Sequence, residues 1–86
     1  MAEIPAKRVD GLAAVHTSAI CYGKEDGEWF IYFPEFGAGM LGAHHITENS
    51  DGTITAYPSI VMRKGEKKRH GWLKNGIFET CTDEVL

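Results

Sequence analysis

The chain is poor in the features that most often announce a function. Its 86 residues include two cysteines and three prolines, and no apolar run approaches the roughly 20 residues a membrane span needs. Cys21 and Cys81 are too few for a disulfide framework, and no two candidate ligands sit at the close spacing typical of structural zinc. The opening MAEIPAKRVDGL holds no apolar stretch of signal-peptide length, so the expected location is the cytoplasm, where a stable bridge between the two thiols is not expected. An excess of positive charge is missing too. Nine basic residues against twelve acidic ones leave a net charge of −3, which opposes binding of a polyanion through the whole surface. Neither nucleic acid nor membrane is an expected partner.

What is present is the pattern of a small β protein. In RHGWLKNGIFETCT, residues 69–82, Asn75-Gly76 separates two apolar-rich runs and is a strong two-residue hairpin signal. Such a turn sets the register: Lys74 opposes Ile77, Leu73 faces Phe78, Trp72 faces Glu79, and His70 lies across from Cys81. Glu28 to Phe33, EWFIYF, reads as a strand apolar on both faces and therefore central, ended by Pro34. Lys24-Glu25-Asp26-Gly27 reads as the hairpin loop before it, and Leu12 to Cys21 as the strand before that. Ile46-Thr47 and Thr53 to Tyr57 flank the turn-rich Glu48-Asn49-Ser50-Asp51-Gly52. Pro58 breaks that strand and Ser59 to Arg63 continues the pattern. Residues 1–11 read as a loosely ordered leading segment. The expectation is a single all-β domain over residues 1–86 with about six short strands, arranged as an antiparallel sheet, a sandwich or a partly open barrel.

Several constellations invite a chemical reading. Gly37, Gly39 and Gly42 have the spacing of a dinucleotide-binding fingerprint, but the chain reaches the turn at Asn49 too soon for a crossover helix, and Met62 stands where the ribose-binding acid belongs. The glycines are better read as a tight turn or a close backbone approach. His44 and His45 are adjacent and point to opposite faces of a strand. One of them with His70 and Cys81 would make a mixed nitrogen and sulfur metal set, the alternative to simple packing, and it lacks an evident fourth donor. Hydrolytic groupings of His16, Ser18 and Asp10, or of Cys81 with His70, have no nucleophile elbow and no third group to orient the base. A small ligand over the glycine loop beside His44 is a further alternative. The prevailing expectation is no catalysis, no cofactor and no metal. Five of the nine basic residues, Arg63, Lys64, Lys67, Lys68 and Arg69, crowd around Gly65, as a solvated loop or as a patch for an acidic partner. Trp72 beside Lys74 is a candidate interface anchor.

The run DGTITAYPSIVMR followed by RHGWLKNGIFETC resembles a group of small, functionally uncharacterised phage and prophage proteins with a zinc-knuckle-like pattern. Pro58, Ser59, Ile60, His70, Asn75, Gly76 and Cys81 carry the likeness. The knuckle positions read Phe33-Pro34-Glu35-Phe36-Gly37, with phenylalanine at both cysteine places, and Arg69 replaces the cysteine of a Cys-His pair. Phenylalanine and a guanidinium cannot hold zinc, so the resemblance implies aromatic packing where the group's pattern looks zinc-binding. It implies further a phage-type accessory protein that binds a host or phage protein, with inhibition of a host or defence enzyme as one such role. The expected contact residues are Trp72, Lys74 and the basic stretch 63–69. Unpaired strand edges would also allow a homodimer.

Overall fold

The computed structural model of the chain describes residues 2–80. Nine strands run in order: β1 Ala2–Pro5, β2 Lys7–Val9, β3 Cys21–Glu25, β4 Glu28–Phe33, β5 Gly37–Met40, β6 His45–Glu48, β7 Ile54–Lys64, β8 Lys67–Lys74 and β9 Ile77–Thr80. They form a five-stranded sheet ordered β1-β9-β8-β7-β6 and a four-stranded sheet ordered β2-β3-β4-β5. Every pairing is antiparallel except that of β2 with β3. The result is a small open β-sandwich with no α-helix among the described residues. None of its elements is a helix long and apolar enough to cross a membrane.

Alternation along each strand builds the core between the sheets. Tyr22, Ile31 and Phe33 project inward from the small sheet, and Ile54, Ala56, Ile60, Leu73 and Phe78 from the large one. Phe33 meets Phe78 edge-on, with ring centroids 5.0 Å apart and planes at 81°, a favoured aromatic geometry. The phenylalanine at the first knuckle position is thus a central core residue. Phe36, at the second, packs against the same core and lies 6.2 Å from Phe33, also edge-on.

The turn chemistry acts as the sequence implies. Asn75 and Gly76 both take positive φ, 50° and 74°, as a two-residue turn matched to strand twist requires. The register that follows is Lys74 with Ile77, Leu73 with Phe78 and Trp72 with Glu79. Asp26-Gly27 makes the equivalent turn at φ 52° and 81°. Strand β4 covers Glu28–Phe33 and is interior to its sheet.

Four segments differ from the sequence expectation, which is why the strands number nine rather than about six. Residues 2–5 and 7–9, within the supposed loose leading segment, are strands of different sheets. Ala6 is the pivot: its N–H donates to the Gly76 carbonyl at 2.9 Å, and the next N–H, of Lys7, donates to Ile20 at 2.9 Å. Leu12 to Cys21 is not a strand. Because β2 and β3 are parallel neighbours, the chain between them must cross back over the sheet, and it does so as a 3₁₀ turn, Leu12–Ala14, followed by further turns. This crossover is fastened by Leu12 N–H donating to Glu25 Oε1 at 2.9 Å, and by His16 N–H donating to Cys21 Sγ at 3.4 Å. The glycine segment is strand β5, opened by Gly37 at φ 89°. Gly39 leaves room for Met62, whose sulfur would lie 3.1 Å from a β-carbon built there. Finally, Pro58 does not end β7. The strand continues for 11 residues with an irregularity between Ala56 and Ile60, and the Tyr57–Pro58 peptide is cis.

Candidate interaction face

The inner face of the large sheet is filled by the core, and its outer face is the surface left open among the described residues. Leu73 and Phe78 point inward and are fully buried; their neighbours Trp72 and Ile77 therefore point outward. Val61 follows the inward Ile60 and is 45% exposed, while Tyr57 is 68% exposed. Ala56 pairs with Leu73 and Ile60 with Gly71, so Tyr57, Pro58 and Ser59 all stand opposite the single residue Trp72. His70 and Trp72 lie on the same side of β8, with rings 5.4 Å apart and tilted by 39°. The centre of this face is consequently aromatic and apolar.

His44 holds the irregular part of β7 in place. Its Nε2 lies 3.1 Å from the Ser59 carbonyl; since a carbonyl only accepts, Nε2 carries the proton. Its Nδ1 is buried with no hydrogen-bond partner. His45, by contrast, is exposed on β6 and registers with Tyr57. Among the described residues no group of three or more His, Cys, Asp or Glu side chains is placed to hold a metal. Cys81, and with it the pairing to His70 and the sulfur donor of the expected metal set, lies outside the described residues.

The basic residues divide. Arg63 registers with Lys68, and Lys64 with Lys67, at the exposed end of the β7–β8 hairpin. Alternation from Val61 and His70 puts Arg63 and Lys68 on the outer face, and Lys64 and Lys67 on the other side. Lys74 is exposed at the opposite end of β8, outward like Trp72. Arg69 is committed elsewhere: it faces inward with Met62, its Nη2 is 2.8 Å from Glu35 Oε2, and its guanidinium lies 5.9 Å from the Phe33 ring centre. Arg69 thereby clamps the β4–β5 turn to the large sheet. That role is invisible in sequence because its partner is far away along the chain.

Like charges also face each other on the other side of the open face, where Glu3 of β1 registers with Glu79 of β9. Glu79 in turn registers with Trp72. Glu3, Tyr57, Val61 and Glu79 are the surface residues that sequence reasoning missed. The alternation around Val61 was masked by the contiguous apolar run Ile60-Val61-Met62, and Glu3 sat in a segment not expected to form a strand.

A second polar cluster lies along the edge where β2 meets the β6–β7 turn. Arg8 Nη1 donates to the Gly52 carbonyl at 2.7 Å, and the Trp29 ring lies beneath Arg8 and Lys24 at 5.3 and 5.1 Å. Asp51 accepts from the Thr53 hydroxyl at 2.6 Å and its N–H at 3.0 Å, bonds that lower its pKa. Burial raises the pKa of the Tyr22 phenol, with Arg8 opposing and Asp51 reinforcing the shift. These contacts tie the turn to the small sheet. The triad read from His16, Ser18 and Asp10 falls on the crossover and its approach, where His16 and Ser18 are exposed and His16 offers its backbone, not its ring, to Cys21.

Comparisons of the chain with protein-family models, with curated proteins and with solved structures gave no match.

Proposed function

We propose that this chain is a small non-catalytic accessory protein, of the phage or prophage kind its sequence resembles, that works by binding another protein on the outer face of its five-stranded sheet. The single observation that carries this reading is the exposure of Tyr57 and Val61, at 68% and 45%, beside the half-buried Trp72 on one sheet face. Aromatic anchors surrounded by charged residues are the anatomy of a protein interface. The charged rim of Arg63, Lys68 and Lys74 supplies steering toward an acidic surface. Inhibition of a host or defence enzyme in the cytoplasm is the activity such a surface would serve.

Affinity capture from host lysate tests the reading when wild type is run beside three variants. A target retained by wild type and by Lys24→Ala on the small sheet, but lost from Tyr57→Ala and Trp72→Ala, is the expected result. Equal retention by all four proteins, or no specific target, removes the outer face from consideration.

A further inference from the structure

Resting on the reading of the outer face as a protein-binding surface, we infer that the partner this face fits is a second copy of the same chain. The argument begins with register. The large sheet carries two rungs of like charge in register, one at each side of its aromatic centre. Glu3 opposes Glu79 on β1 and β9, and Arg63 opposes Lys68 on β7 and β8. All four belong to the outer face.

An acidic rung and a basic rung flanking an apolar centre make a surface that complements itself. When two copies meet face to face about a two-fold axis, whatever one residue contacts on the partner is returned in kind. An axis lying between the two rungs brings the acidic pair of each copy over the basic pair of the other, two contacts from one complementarity. Trp72 lies between the rungs, in register with Glu79 and four residues along β8 from Lys68, so the same arrangement sets the two Trp72 rings close to each other at the centre. Tyr57 and Val61 are then covered as well.

The size of the face sets the strength. Five strands spaced at about 4.8 Å, along the eight residues of β8 at about 3.3 Å each, give roughly 500 Å² per copy. Two copies together bury about 1,000 Å², the lower limit for a specific interface. The dimer is therefore one that dissociates on dilution, and its affinity falls with salt because its rim is ionic. A target using the same face would have to displace the second copy.

Sedimentation analysis of the full chain across a dilution series, with circular dichroism to confirm folding, tests this. Wild type is expected to pass from dimer to monomer. Glu79→Lys and Arg63→Glu each set like charges across the interface and should weaken association by at least about tenfold, whereas E79K/R63E in one chain exchanges the two signs and should recover most of it. Trp72→Ala should abolish the dimer without unfolding the protein. A wild type that is monomeric throughout overturns the inference, as does a dimer indifferent to all four variants or a double variant no better than the singles. A monomer that still captures a target through Trp72 defeats the second copy alone. A monomer with no Trp72-dependent target defeats the reading of the face with it.

Discussion

Gly71 is the residue on which β8 and β9 most depend for their closeness. A β-carbon built there would lie 2.1 Å from the Glu79 carbonyl oxygen and 2.7 Å from Phe78 Cζ, so a side chain would have to displace backbone and core together. Gly71→Ala should destabilise the fold by about 3 kcal/mol, at the upper end of overpacking costs, read as a drop in the urea midpoint. An unchanged midpoint would mean that the two strands are not so closely paired. Tyr22 gives a second test, by pH. Its phenol is buried and its pKa is raised, mainly through desolvation. The folded state thus holds the proton more tightly than the unfolded chain, and the contribution is fully present below the unfolded pKa and lost as pH rises through the folded one. Stability should decline in the alkaline range above pH 10, and Tyr22→Phe should flatten that decline. A decline of equal steepness in the variant would assign it to other groups.

The elements differ in how openly the sequence announces them, and the difference has a physical origin. Hairpins were legible because their signals are local: Asn75-Gly76 and Asp26-Gly27 supply the positive φ that the turns require, and EWFIYF is apolar on both faces because its strand is interior. β1, β2 and the crossover were not legible because what makes them is distant. Ala2–Pro5 is a strand only through its pairing with β9, and Leu12–Ala14 is a turn only because β2 and β3 run parallel. The face around Trp72 was half legible. Trp72 and Lys74 share one side of β8 as strand alternation implies, whereas Arg69, adjacent in sequence to the other basic residues, is drawn to the inner side by Glu35 and Phe33. The strand least expected from sequence offers the clearest check. Deleting residues 1–5 removes Ile4 from the core and bares the edge of β9, and should cost about 2 kcal/mol from the side chain alone, seen as a lower melting temperature. Unaltered melting would return these residues to the status of a loose tail.

Taken as a whole, the molecule is two sheets with unequal outer faces. On the outer side of the small sheet, where Cys21 and Phe30 are fully buried, the crossover packs on Cys21. The large sheet has no such cover among the described residues, and there the fold sets out aromatic rings between an acidic and a basic rung. A domain of this size has little core to spare, so an apolar surface kept outside the core is the feature that most needs an explanation. Association through that face supplies one. The chain carries a tryptophan on each sheet, Trp29 on the small and Trp72 on the large, and their indole N–H signals can be followed separately by NMR while the protein is diluted. The Trp72 signal is predicted to move with dilution as the outer face is uncovered, with the Trp29 signal fixed. Movement of Trp29 in place of Trp72, or of neither, would contradict the account.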